Sequence, residues 1–158
     1  MASYKIRKFD PQNDIEAVQK INRACLPENY PRFFFLEIAE KFPEGFNVAE
    51  MDNGEIVAYE MTRIERGLSN FGYGISKKGH IISIAVLDSY RRLGIAENLM
   101  KASATALRLR DVKEVYLEVR ESNQAAINLY QKLGYHIHKV ARQYYNDGES
   151  ALIMTSKI

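Results

Sequence analysis

An α+β domain, with a mixed and mostly antiparallel sheet covered by helices, is the fold class this sequence predicts. Short apolar segments of strand character recur along the chain, stretches of helical period separate some of them, and Asn-Gly or Asp-Gly turns join others. The resulting order is β-α-α-β-β-β-α-β-α-β-β.

Residues 4–9 read as the first strand. Asp10-Pro11 is expected to start a helix, with Asp10 as its cap and Pro11 at the first helical position. Ile15, Val18 and Ile21 give that helix an apolar face. Leu26-Pro27-Glu28-Asn29-Tyr30-Pro31 ends it, because two prolines flank a short loop. Phe33-Phe34-Phe35 opens a second helix that stops near Pro43-Glu44-Gly45. Asp52-Asn53-Gly54 is a hairpin turn between strands at 46–51 and 56–61, since Asn-Gly accepts the positive φ angles such turns require. Residues 66–79, rich in Gly, Ser and Lys, read as a mobile loop. The apolar run from His80 to Val86 reads as a central strand buried on both faces. A helix follows to about Arg110, with Ile95, Leu99, Ala102, Ala106 and Leu109 as its buried stripe. Val112 to Val119 is a strand, and Asn123 to Leu133 a helix closed by Gly134. Strands at 135–144 and 150–155 flank the Asn146-Asp147-Gly148 turn.

The 158 residues fit one domain spanning 1–158, with no repeat or linker, and 46% hydrophobic residues supply a core. A net charge of +2 is too mild to argue for a nucleic-acid partner but suits a small anionic ligand. Cys25 is the only cysteine, so no internal disulfide forms, and a reducing compartment is expected. The N-terminus lacks a signal peptide's apolar core, and no apolar run approaches the roughly 20 residues of a membrane span. A soluble, cytoplasmic protein without a membrane partner is expected. His136 and His138 lack a second ligand pair, so no metal is expected.

Arg91-Arg92-Leu93-Gly94-Ile95-Ala96 lies between a strand and an amphipathic helix. A helix N-terminus offers unpaired N–H groups and partial positive charge to a phosphate. Gly94 and Ala96 permit close backbone approach, and Arg91 and Arg92 add charge. These residues resemble the [RQ]-x-x-G-x-[GA] motif of the GCN5-related N-acetyltransferase (GNAT) superfamily. The preceding strand, Ile81 to Val86, and the segment Asn123 to Tyr135 resemble two further parts of that pattern. The resemblance implies a GNAT fold and acetyl-CoA as co-substrate. It assigns cofactor contacts to Ile84, Ala85, Val86, Arg91, Arg92, Leu93, Gly94, Ile95, Ala96, Glu97, Asn123, Tyr130, Gln131 and Lys132.

Leu26-Pro27-Glu28-Asn29-Tyr30, Leu117-Glu118-Val119-Arg120 with Ser122-Asn123, and Tyr144-Tyr145-Asn146-Asp147-Gly148-Glu149 narrow the match. They are similar to catalytic subunits of protein N-terminal acetyltransferases, nearest to the archaeal type. This implies transfer of acetyl to the α-amino group of protein or nascent-chain N-termini. Leu26, Pro27, Glu28 and Tyr30 would form one wall of the peptide site and Tyr144 and Tyr145 the other. Leu152 stands where the family commonly has an aromatic, a change in that groove. Nothing in the sequence speaks to ribosome association.

An α-amino group near pKa 8 is largely protonated at neutral pH, so a base is needed. Glu118 and His80, both on expected central strands, are the candidates, acting directly or through water. The resemblance to the superfamily implies that Tyr130 protonates or hydrogen-bonds the leaving thiolate. Two alternatives stand beside this reading: an acetyltransferase for lysine side chains or small amines, and a non-catalytic acetyl-CoA-binding module.

Overall fold

The computed structural model describes residues 3–158. Its strands are β1 (Tyr4–Lys8), β2 (Phe46–Met51), β3 (Ile56–Leu68), β4 (Ile75–Val86), β5 (Glu114–Arg120), β6 (His136–Ala141) and β7 (Ala151–Lys157). Its α-helices are α1 (Ile15–Cys25), α2 (Arg32–Lys41), α3 (Ile95–Leu109) and α4 (Gln124–Lys132). The order matches that expected, and the seven strands form one mixed sheet, β1-β2-β3-β4-β5-β7-β6. The pairs β1–β2, β2–β3, β5–β7 and β6–β7 are antiparallel, and β4–β5 is parallel.

The chain forms two compact units. The first runs to Arg63 and resumes over Ile82–Leu107; the second comprises Ile64–Ile81 and Arg108–Ile158. In the first, Ile15, Val18 and Ile21 of α1 pack with Phe35, Ile38, Phe46, Val48, Tyr59 and Met61. A separate cluster joins Ile95 and Leu99 of α3 to Ala49, Met51, Val57 and Ala58. The alternation of β2 and β3 thus feeds two cores, one under each helical layer. In the second unit, Val115, Leu117, Val119, Ile127, Tyr130, Ala151 and Met154 are buried.

Several expectations need correction. Asp10-Pro11 does not start α1: residues 11–14 are turns, and Asp14 is the N-cap. The Asp10 carboxylate accepts the backbone N–H groups of Gln12 and Asn13 instead. Asp14 is buried and accepts from Nη1 and Nη2 of Arg7, at 2.7 and 2.9 Å, so β1 sets where the helix begins. The segment 66–79 is mostly strand, since β3 continues to Leu68 and β4 starts at Ile75. Gly72 and Gly74 lie in the short connection, while Gly67 and Gly79 lie within the strands. β4 is buried on one face only: Ile81, Ser83 and Ala85 are buried while His80, Ile82 and Ile84 are half-buried. On α3 the stripe rotates to Met100, Ser103 and Leu107, leaving Ala102 half-buried and Leu109 80% exposed. The last two strands are β6 and β7 as bounded above, and residues 142–150 form their connection.

A polar cluster sits within the first unit. Glu60 is fully buried and accepts hydrogen bonds from Thr62 Oγ1 and from Asn47 Nδ2. Thr62 is also hydrogen-bonded to Ser103 on α3. Burial raises the Glu60 carboxyl to about 8, against smaller opposing effects of its hydrogen bonds with Thr62, Asn47 and Ser103. The folded protein therefore keeps a proton that the unfolded chain releases near 4.5. The resulting stability is fully present below that unfolded value and is lost as pH rises through about 8. Urea titrations should show this loss, on the order of a few kcal/mol between about pH 5 and 9, and Glu60→Gln should flatten it. An unchanged pH dependence in the variant would contradict the assignment.

Candidate active site

In the first unit, residues 91–94 form the turn that leads into α3. Arg92 has φ 65° and Gly94 φ 78°, so the chain twice enters the left-handed region. A Cβ on Gly94 would meet only Tyr4 Oη within 4 Å, at 3.8 Å, leaving its other sides clear for a ligand. Tyr4 Oη donates to Leu93 O at 3.2 Å and accepts from Asn98 Nδ2 at 2.7 Å, bracing the turn from β1 and α3. Arg91 Nε donates to Val86 O at 3.1 Å, and its Nη1 pairs with Asp88 at 2.7 Å. Arg91 thus ties the turn to the end of β4, where Ile84, Ala85 and Val86 lie. Arg92 is exposed, Ile95 is buried, and Ala96 is half-buried. Glu97 pairs with Lys101 at 3.0 Å along α3.

The Leu26 to Tyr30 loop of the same unit hangs on Asn22, which is 1% exposed. Asn22 Nδ2 donates to Glu28 O and to Tyr59 Oη, both at 3.1 Å, and its Oδ1 accepts the Tyr30 backbone N–H. Asn29 Nδ2 donates to Leu26 O at 2.9 Å. Tyr30 stacks on Phe34 and donates to Ile82 O at 3.5 Å. Leu26, Glu28 and Tyr30 are half-buried and Pro27 is exposed.

The second unit brings His80 and Glu118 together. His80 Nε2 lies 2.8 Å from Glu118 Oε1, and its Nδ1 lies 2.8 Å from Glu65 Oε2. Tyr116 Oη donates to Glu65 Oε1 at 2.5 Å, and its ring stacks on His80 at 4.2 Å. The β4–β5 register sets this up, pairing His80 with Tyr116 and placing Glu118 two residues further along the same face. Burial pulls the His80 pKa down, but the hydrogen bond and charge of Glu118, followed by those of Glu65, outweigh it and raise it above the usual value.

Tyr130 is buried, and its hydroxyl has no hydrogen-bond partner among the described residues. Burial pushes it up to about 12. No hydrogen bond joins it to the His80–Glu118 pair. Asn123 caps α4, its side chain accepting Ala126 N–H at 3.2 Å, and Gln131 and Lys132 are exposed at the other end of that helix. Tyr144 and Tyr145 meet edge to face at 4.9 Å. Arg120 lies 4.0 Å over the Tyr145 ring and pairs with Asp147 and Glu149, each at 2.9 Å.

Residues 15–135 match the model of the acetyltransferase (GNAT) family. The chain belongs to this family. It is 51% identical to the N-alpha-acetyltransferase of Sulfurisphaera tokodaii over 158 residues, covering 98% of this chain and 93% of that protein. It is 40% identical to the N-terminal acetyltransferase A complex catalytic subunit of Arabidopsis thaliana, over 92% of this chain and 74% of that one. Ard1 from Thermoplasma volcanium superposes with a TM-score of 0.82 at 31% identity, covering 98% of this chain and 97% of that one. Membership bears out the expectation of an acetyl-CoA-dependent acetyltransferase with a GNAT fold. The open turn at Gly94 and the unpartnered Tyr130 hydroxyl are features that suit such a ligand.

Sequence reading missed Asn22, Glu65, Tyr116 and Arg120 in this acetyltransferase. Asn22 carried a signal, since a polar residue falls one turn after Val18 on the buried phase of α1. Replacing Asn22 with Leu should strand the polar groups it now satisfies and lower stability by about 1–3 kcal/mol. Thermal or urea unfolding measures this, and a variant as stable as wild type would show that the loop has other support.

Proposed function

We propose that this protein acetylates the α-amino group of protein N-termini, with residues 1–158 working as one catalytic domain. The observation that carries the reading is near-full-length likeness to proteins named N-alpha-acetyltransferase, at 51% and 42% identity. Ard1 from Thermoplasma volcanium, alike over nearly its whole length, supports it further.

Acetyl-CoA supplies an activated thioester. The turn at 91–96 holds its pyrophosphate, the backbone of Ile84, Ala85 and Val86 and the Asn123 side chain contact the pantetheine arm, Lys132 reaches the phosphates, and Glu97 and Gln131 make further contacts to the cofactor. Leu26, Pro27, Glu28, Tyr30, Tyr144 and Tyr145 contact the peptide. The substrate enters largely as an ammonium, which must lose a proton before it can attack. Glu118 and His80 together activate the amine by relieving it of that proton, directly or through water. The amine nitrogen then bonds to the acetyl carbon, its second proton passes to solvent, and the carbon–sulfur bond breaks to release a thiolate. A Tyr130 hydroxyl raised to about 12 keeps its proton beside a thiolate of ordinary basicity. It therefore stabilises the thiolate by donating a hydrogen bond, and solvent supplies the final proton.

The first test is a peptide panel analysed by mass spectrometry. Peptides with a free α-amine should be acetylated far faster than the same peptides blocked there with lysines free. Equal or faster lysine modification would favour the side-chain reading. On the reactive peptides, Glu118→Gln should slow turnover by about 10²–10⁴-fold, and His80→Ala should slow it too. The double change should cost less than the product of the two, because they share one task. Wild-type turnover in the double variant would remove both from the mechanism.

The cofactor turn has its own test. Gly94→Glu forces a side chain into a positive-φ position, fills the open side of the turn and adds negative charge. Calorimetry should show acetyl-CoA binding at least 10-fold weaker, in line with about 1.4 kcal/mol or more of lost interaction. Unchanged affinity would put the pyrophosphate elsewhere.

A further inference from the structure

The His80–Glu118 pair has a third member that family likeness does not assign. Glu65, near the end of β3, presents one carboxylate oxygen to His80 Nδ1 at 2.8 Å and receives the Tyr116 hydroxyl on the other. Tyr116 both stacks on the imidazole, with ring planes 16° apart, and holds the carboxylate that faces it. The His80 ring is thereby fixed on its face and at both nitrogens. The side chains of His80, Glu65 and Glu118 are 13%, 23% and 15% exposed, so water competes little for these contacts.

We infer that Glu65 is a positioning residue, holding His80 so that Nε2–H points at Glu118 and leaving Glu118 as the group that accepts the amine's proton. This rests on the acetyl-transfer reading above. An ionised carboxylate only accepts hydrogen bonds, so an imidazole between two of them must donate from both nitrogens. His80 is then an imidazolium and no longer a proton acceptor. Glu118 Oε1 takes the His80 hydrogen bond, whereas Oε2 has no partner among the described residues. That second oxygen is where the proton lost by the amine goes, directly or by way of water, before passing to solvent. The other charged groups nearby fit this division. Lys78 of β4 lies over the Tyr116 ring at 4.7 Å and pairs with Glu114 at 4.0 Å, so its charge already has a carboxylate partner of its own. The direction of the His80 shift agrees with a charged ring.

The test combines kinetics with imidazole ¹⁵N NMR on the full-length protein. Glu65→Gln keeps the side-chain shape but removes the charge. It should lower kcat by roughly 10-fold or more while both KM values stay within about 2-fold, because the contact acts on proton transfer rather than on binding. The His80 titration midpoint should fall by about one unit, as expected for losing one adjacent carboxylate. Glu65→Asp, which restores the charge, should recover at least part of that midpoint; failure to do so overturns the inference. Wild-type kcat in Glu65→Gln, or an unmoved His80 titration, also overturns it. A variant that unfolds is read by Tyr116→Phe, which removes the hydroxyl that orients the Glu65 carboxylate and alters the ring that stacks on His80, and should shift the same midpoint; no shift there counts against the inference. If wild type acetylates no amine, the acetyl-transfer reading fails on its own. The His80 titration then still decides whether Glu65 holds the ring charged.

Discussion

Parallel pairing of β4 with β5, from Lys78 beside Glu114 to Ile81 beside Leu117, is the constraint on which the second unit's chemistry rests. Side chains alternate along a strand, so a one-residue slip would turn Glu118 and Tyr116 to the opposite face together. In the observed register, His80 lies beside Tyr116 and within 2.8 Å of Glu118. β7 secures β5 from its other edge, pairing with it from Glu114 to Arg120. The ionisable cluster is thus built on a ladder held from both sides, and strand geometry places its members before any side-chain interaction refines them.

Elsewhere single polar side chains hold the exposed segments. Asn22 ties down residues 26–30, Arg120 gathers the carboxylates of the β6–β7 connection, and Tyr4 braces the turn before α3. Each segment gains a fixed shape from these contacts, and Leu26 and Tyr30 add packing against the first unit's core. Glu149 shows the effect: hydrogen bonds from Ser122, then Arg120, hold its carboxyl below the ordinary range. These contacts keep residues with little packing in one conformation, as a binding surface on loops requires.

Much of this was legible in the sequence. The order of elements followed from periodicity and turn residues, and the stop of α4 at Gly134 followed from local backbone chemistry. What escaped depended on partners distant in sequence. Asp14 displaced Asp10 as the start of α1 because Arg7, on a neighbouring strand, binds it. Residues 66–79 looked like a loop because Gly, Ser and Lys are frequent there, while cross-strand pairing, which a single segment does not display, makes 66–68 and 75–79 strand. Ending that strand at Met61 also hid Glu65, whose role exists only once β3 is long enough to reach His80. Leu109 was placed in the core by spacing alone, but the face of α3 that packs is set by Met100, Ser103 and Leu107.

The brace at Tyr4 bears on how the chain is handled. Tyr4 opens β1, and its hydroxyl supports Leu93, next to Gly94. The first residues of a domain are commonly treated as dispensable ends, open to trimming or fusion. Here they support the turn proposed above to hold the phosphate groups. A shortened form starting at Ile6 would keep most of β1 and both helical cores, yet would lose the prop beneath that turn. Proteolytic nicking or an awkwardly joined tag at this end would therefore act as a remote defect in cofactor affinity while leaving the fold intact.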